Sequence, residues 1–265
     1  MGTDRTSNLI RNQNPIIRHK TYEYLVGTQS IHWHINYQQT MSGSYLTTLI
    51  DIGDDIQGNC KWSSFLDGKN GFFYGIPSHA RRVVKFNPLD KSLTEIGPDL
   101  GDGEFKWQCG VRANTGSIYC APALAFHILK IHTNDDTVET LDNVELPETG
   151  VGLWESGALA PDNSIYYMPA SARRIMRLNP DNDSLSSVGD DLGGGWKYTG
   201  TVVGNDNYVY GIPGEEAARI VKFDPTNPET TSTVGEEAEG WFGCVGMVYW
   251  LVMVTSMLCI DLVKY

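Results

Sequence analysis

Tyr74-Gly-Ile-Pro77 returns as Tyr119-Cys-Ala-Pro122, Tyr166-Tyr-Met-Pro169 and Tyr210-Gly-Ile-Pro213, at intervals of 45, 47 and 44 residues. Four copies at so even a spacing establish an internal repeat. Fifteen residues before each proline stands an aromatic: Trp62, Trp107, Trp154 and Tyr198. Ten or eleven residues past it the chain reads Asn87-Pro88, Asn179-Pro180 or Asp224-Pro225, and the second copy departs with Thr133-Asn134. Between these markers lie short β-prone runs bounded by turn residues. One follows the aromatic (residues 111–113, 201–203), one leads into the proline (118–119, 165–166), one alternates (82–86, 174–178, 219–223), and one ends in Ile96-Gly97 or Val188-Gly189. No stretch of helical period interrupts them.

Four strands in a unit of about 45 residues predict an all-β fold built of propeller blades. The Tyr-x-x-Pro step and the Val-x-Lys-Phe-Asn/Asp-Pro turn after it resemble the repeats of β-propeller families of the kelch, NHL and SMP-30/streptogramin-lyase groups. The likeness covers roughly residues 44–261, and no WD dipeptide signature accompanies it. For an SMP-30-like lactonase it would imply a divalent metal held by acidic and amide residues in the channel, and for a streptogramin lyase a His and Glu pair. No set of positions in this chain matches either motif residue by residue.

The ends suggest how the ring closes. Residues 45–53 (YLTTLIDIG) match only the last strand of a unit, and residues 241–261 only its opening part. Joined, they would form a fifth blade with strands from both chain ends, so about five four-stranded blades are expected near 62–97, 107–142, 154–189, 198–235, and 241–261 with 45–53. The span from Trp241 to Asp261 is five residues shorter than that from Trp62 to Asn87 and lacks the Tyr-x-x-Pro step, which makes this blade the weakest. Residues 44–265 thus form the propeller. Residues 1–43, rich in Asn, Gln, Ser and Thr, are expected to be a poorly ordered extension or one draped over its edge.

The 28 Gly and 12 Pro among 265 residues fit a fold dense in turns. With 20 Lys and Arg against 32 Asp and Glu, the net charge of −12 repels phosphate backbones and argues against a nucleic-acid partner. Cys60, Cys109, Cys120, Cys244 and Cys259 are odd in number and scattered, as befits reduced thiols. The first twenty residues lack a signal-peptide core, so the expected location is intracellular and cytoplasmic. The opening Met1-Gly2 with Thr6 matches a myristoylation pattern too short to carry weight. Residues 242–260 pass without a charge, long enough for a C-terminal tail anchor. Their β-branched content, Gly243, Gly246 and step with the repeat favour strands instead, and a membrane partner is not expected.

The repeated aromatics read as packing wedges between blades, or as stacking platforms for a sugar. A second repeated set is charged. Asp55, Asp99 and Asp191 follow the glycine of the fourth strand, while Arg82, Arg174 and Arg219 follow the Tyr-x-x-Pro turn, with His127 in the arginine's place in the second unit. In a propeller both connections lie on one face, so these seven residues are the candidate binding set. Either the arginines recognise a carboxylate or similar anion, or each pairs with the aspartate of a neighbouring loop. Residues 97–104 (GPDLGDGE) and 189–195 (GDDLGGG) could supply oxygens to Ca²⁺ or another divalent metal, but their spacing is not that of an EF-hand loop, and no cofactor is assigned. His32-Trp33-His34 is half a metal site without a third ligand.

No G-x-S-x-G, G-x-x-x-x-G-K-[ST] or G-x-G-x-x-G pattern occurs, and no catalytic residue is assigned. The reading is a monomeric, non-catalytic binding or interaction module presenting a polar loop face to a protein or to a small anionic or carbohydrate ligand. The alternatives are a metal-dependent propeller hydrolase or lyase of lactonase type, and a carbohydrate-binding propeller. The latter requires exposed tryptophans in the repeat.

Overall fold

A computed structural model of the chain describes residues 60–235, except 215 and 218, together with the backbone of three strands nearer the N-terminus. The chain divides into two compact units, Met1–Ile56 and Gln57–Tyr265.

In the first unit β1 (Tyr22–Val26), β2 (Ile31–Gln38) and β3 (Tyr45–Asp51) form an antiparallel sheet in chain order. Trp33 lies opposite Tyr24 on one side and Ile50 on the other. Strands β1 and β2 lie within residues 1–43, where Ile31, Trp33, Ile35 and Tyr37 alternate with polar residues at the period of a strand. The segment 45–53 expected to help close a fifth blade is a strand over Tyr45–Asp51, paired with β2. Its expected partner, 241–261, lies outside the described residues.

The second unit holds four antiparallel sheets, each a four-stranded meander in chain order. They comprise β4 (Trp62–Asp67), β5 (Phe73–Pro77), β6 (Val83–Phe86) and β7 (Leu93–Ile96); β8 (Val111–Arg112), β9 (Ser117–Cys120), β10 (Leu129–His132) and β11 (Val138–Thr140); β12 (Trp154–Leu159), β13 (Ile165–Pro169), β14 (Ile175–Asn179) and β15 (Ser184–Val188); and β16 (Tyr198–Val203), β17 (Val209–Pro213), β18 (Ile220–Phe223) and β19 (Ser232–Val234). These are propeller blades, one per repeat, and no helix occurs among the described residues.

The two sequence markers meet across each sheet. Trp62 pairs with Pro77, Trp107 with Pro122, Trp154 with Pro169 and Tyr198 with Pro213. Proline has no N–H to continue the ladder, and in three of the blades the register slips there, between Trp62 and Ser64, Trp154 and Ser156, and Tyr198 and Gly200. The fourth strand ends on Gly97, Gly189 and Gly235, with φ of 75°, 76° and 82°, a left-handed turn that a side chain resists.

Apolar layers fill the spaces between successive blades. Tyr74, Ile76 and Val83 of the first pack with Trp107, Ile118 and Leu129 of the second. Val111 and Tyr119 pack with Trp154 and Tyr167, and Tyr166, Met168 and Ile175 with Tyr198, Val209 and Phe223. Each layer is latched by the tyrosine of Tyr-x-x-Pro. The Tyr74 hydroxyl donates to Asp136 Oδ1 at 2.7 Å and faces the Thr133 carbonyl, and Lys85 Nζ reaches Asp136 Oδ2 at 2.6 Å. The next blade repeats it with Tyr119, Asp183 (2.7 Å), the Pro180 carbonyl and Lys130 (2.6 Å from Asp183). Tyr166 reaches the Pro225 carbonyl at 3.2 Å, but its acid is Asp162 of its own blade, held by Arg177. The Asn-Pro turn of one blade is therefore the docking point for the preceding one. Where that turn reads Thr133-Asn134, the buried Thr133 hydroxyl donates to the Gly116 carbonyl at 2.8 Å.

Two predictions follow from the latch. Tyr119→Phe lowers unfolding free energy in a urea titration by about 1–3 kcal/mol, because Asp183 loses a buried donor. Burial pushes the Tyr74 hydroxyl up to about 12, and raises Tyr119 and Tyr166 likewise. A folded-state value above the unfolded one near 10 means that this stabilisation is complete below pH ~10 and fades as pH rises toward 12. In an alkaline titration, unfolding followed by circular dichroism should coincide with tyrosinate absorbance from these residues; smooth ionisation in a folded protein would contradict the latch.

Candidate functional site

The antiparallel meander brings the connections between second and third strands to the same edge of each blade as the connection from fourth strand to next blade. Arg82, His127, Arg174 and Arg219 all precede the third strand at this loop face, and Asp99 and Asp191 follow the fourth. Asp55 lies outside the described residues.

The arginines are built into the frame. Trp62, Trp107 and Trp154 each donate their indole N–H to the backbone carbonyl twenty residues on, that of Arg82 (3.2 Å), His127 (2.9 Å) and Arg174 (3.2 Å). The guanidinium of Arg82 donates in turn to the Gly97 carbonyl, and that of Arg174 to the Gly189 carbonyl at 2.5 Å. One buried aromatic thereby fixes the start of the third strand, and the arginine there ties down the end of the fourth. Arg219 occupies the corresponding exposed position in the fourth blade.

The aspartates do not pair with these arginines but with the residue before each. Arg81 Nη2 stands 2.7 Å from Asp99 Oδ2, and Arg173 Nη2 2.7 Å from Asp191 Oδ2. The partners belong to one blade, not to neighbouring loops, because the opposite oxygen caps the turn by accepting from the Gly101 or Gly193 amide, 2.9 Å away in each case. The Arg81 side chain and then the Gly101 amide hold Asp99 below the usual carboxylate range. For Asp191 the Gly193 amide leads and Arg173 follows. His127 Nδ1 is buried without a hydrogen-bond partner among the described residues, and its Nε2 lies 3.9 Å from Asp142.

Two functional-face residues escaped the sequence reading. Lys106 and Lys197, each immediately before the repeated aromatic, are 5% and 4% exposed. The Lys197 ammonium donates to the carbonyls of Ala170 (3.0 Å), Ala172 (2.7 Å) and Gly195 (3.1 Å), and Lys106 to those of Ser78 (3.1 Å) and Gly103 (2.8 Å). Each lysine therefore bridges two blades, and desolvation lowers its pKa. The signal was present as Lys61-Trp62, Lys106-Trp107 and Lys197-Tyr198, broken by Leu153-Trp154.

Beside the two buried lysines and the paired arginines, the face shows other groups. Among the described residues six large hydrophobics are exposed, and five of them, Phe105, Leu124, Phe126, Val151 and Trp196, sit in these loops; Leu89 alone is on the opposite side. Glu155 occupies the slipped position after Trp154, half-buried, with its carboxylate 3.3 Å from Trp196 Nε1; burial raises its pKa. Among the described residues the repeated aromatics are no sugar platforms, since Trp62, Trp107, Trp154 and Tyr198 are at most 5% exposed. Among the described residues no group of three or more His, Cys, Asp or Glu is placed to hold a metal ion, and no helix is long and apolar enough to cross a membrane.

No protein-family model matches the chain, and no curated protein matches it in sequence. Solved structures do match in shape. A streptogramin B lyase superposes with a TM-score of 0.59 at 15% identity, over 84% of this chain and 71% of that one. A virginiamycin B lyase from Staphylococcus aureus gives 0.54 at 16% identity over 67% of this chain, which spans 55% of the lyase. The nidogen/laminin complex gives 0.54 at 11% identity over 82% of this chain and 79% of that one. Together with the four blades, these similarities make the chain a β-propeller repeat protein.

Trp154→Ala is expected to lower unfolding free energy by about 3–5 kcal/mol in urea, since the ring is fully buried and its N–H is used. The depressed carboxylates Asp99 and Asp191 stabilise the loops above pH ~4, and that contribution is lost as pH falls through their folded-state values. Thermal midpoints should drop between pH 4 and 2, and less steeply in Asp99→Asn/Asp191→Asn; an unchanged slope would count against the two Arg–Asp pairs.

Proposed function

We propose that this propeller is a non-catalytic binding module that meets a protein partner with the loop face of its blades. The observation that carries this reading is the concentration of exposed apolar side chains there: single exposed hydrophobics are ordinary, but a cluster confined to one face marks an interaction surface. The bracing beneath it supports the same reading. Leu100 N donates to the Arg81 carbonyl at 2.7 Å and Leu192 N to the Arg173 carbonyl at 2.8 Å, so the loops are held before any partner arrives, which lowers the ordering cost of association. In the proposal Arg82 and Arg174 act as frame members, positioning loops instead of gripping an anion.

The test is a selection of random displayed peptides on the full chain. Binders should lose affinity at least roughly tenfold with Phe126→Ser/Val151→Ser, which alter only exposed side chains, and keep it with Leu89→Ser on the other side. Binders indifferent to the first change would refute the assignment of this face.

A further inference from the structure

The apolar residues of the loop face are joined into one arc across three blade boundaries. The Phe105 ring meets His79 edge-on, with centroids 4.4 Å apart, and the Phe105 carbonyl accepts from the Leu124 amide at 3.0 Å. The neighbouring Ala123 carbonyl accepts from the Gly152 amide at 2.8 Å, which sets Val151 beside this loop. Trp196 then lies over Gly152, so closely that a β-carbon at that glycine would strike its ring. Phe105 takes part at a conformational cost. Its φ is 48°, in the left-handed region that the matching Gly152 (φ 61°) occupies freely. The matching Cys60 shares that turn with φ 49°, so the turn belongs to the fold and the exposed aromatic ring on it is particular to this blade.

Acids outnumber cations around this arc: residues 78–82, 97–106, 121–128, 141–155, 170–174 and 189–197 hold nine Asp and Glu against six Lys and Arg. Lys106 and Lys197 are buried in carbonyl cages, and Arg81 and Arg173 are spent on Asp99 and Asp191. The remaining acids are under-neutralised. Asp102, Glu104 and Asp142, with side chains 95%, 73% and 65% exposed, approach Arg81, His79 and His127 only at 3.9–4.0 Å. Glu155 forms no ion pair with any cation among the described residues and meets only the Trp196 indole N–H. An anionic or purely apolar partner would leave these carboxylates desolvated and unpaired, whereas a cationic one compensates them.

Resting on the binding-module reading, we infer that the occupant of this face is a cationic amphipathic peptide segment of a partner protein. Its apolar side chains lie on the arc of Phe105, Leu124, Val151 and Trp196. Its Lys or Arg side chains meet Glu104, Asp142 and, beside the Trp196 ring, Glu155, where a cation gains both a carboxylate and an aromatic face.

The experiment uses the full chain and three synthetic probes: an amphipathic Leu/Lys peptide with one Trp, its Leu/Glu twin, and an oligolysine of equal charge. Fluorescence anisotropy should show the Leu/Lys probe binding at least roughly tenfold more tightly than either control at physiological salt, and weakening as salt rises. Affinity should fall roughly tenfold with Leu124→Ser/Val151→Ser and several-fold with Glu104→Gln/Asp142→Asn, and stay level with Leu89→Ser. Binding of the Leu/Glu twin as tight as that of the Leu/Lys probe, or indifference to the charge variant, would overturn the cationic occupant while leaving the face intact as a binding surface. Loss of binding in Leu89→Ser equal to that in the face variants, or none in any, would overturn the face and the occupant together. Phe105→Gly separates recognition from folding: it should weaken the probe while leaving the thermal midpoint nearly unchanged.

Discussion

A propeller blade cannot bury both faces of its sheet by itself, and everything else in this chain depends on how each blade is held against the next. The layer between blades is apolar, but apolar packing alone has no preferred register. Direction comes from the tyrosine of the Tyr-x-x-Pro step. Its ring fills the layer, and its hydroxyl reaches a turn of the following blade, at Thr133, Pro180 or Pro225. In the first two latches a lysine of the third strand shares the acceptor, so Asp136 and Asp183 each receive a hydroxyl and an ammonium. Such a latch requires the blades to be offset by a constant amount, which is why the interval between repeats hardly varies.

The opposite edge solves a different problem with the same economy. Proline stops the ladder where the first strand would otherwise continue, and the slip that results lets the aromatic turn into the layer while the next residue, Glu155 in the third blade, is re-aimed. The aromatic N–H then holds the carbonyl of the residue that starts the third strand. Arginine or histidine at that point is therefore placed by the fold before any ligand is considered. The same holds for the buried lysines, whose ammonium groups tie adjacent blades through backbone carbonyls. With Lys106 and Lys197 caged and Arg81 and Arg173 paired with Asp99 and Asp191, the face displays acids and apolar side chains although its sequence is no poorer in arginine than that of other loops.

The four-stranded blade unit and the packing role of Trp62, Trp107, Trp154 and Tyr198 were legible because hydrophobic alternation, turn residues and repeat spacing are local properties. The arginine–aspartate relation was read one residue out. Counting positions identified Arg82 and Asp99 as recurring, but which of two adjacent arginines faces Asp99 depends on the turn that aims them, and the outward one proved to be Arg81. The lysine cages were missed because a lysine before an aromatic reads as solvent-exposed unless the neighbouring blade's carbonyls are known.

From residue order alone came the all-β class, the unit of four strands and the sites where strands must end, because proline, glycine and alternating side chains act through their own backbone. Tertiary structure alone decided which side chains remain available to a partner. Phe105, Phe126 and Trp196 are no more apolar than the aromatics buried a few positions away, and Asp142 no more acidic than Asp136. What separates them is whether the next blade covers the position. That is settled by the packing of distant segments, to which no local pattern has access.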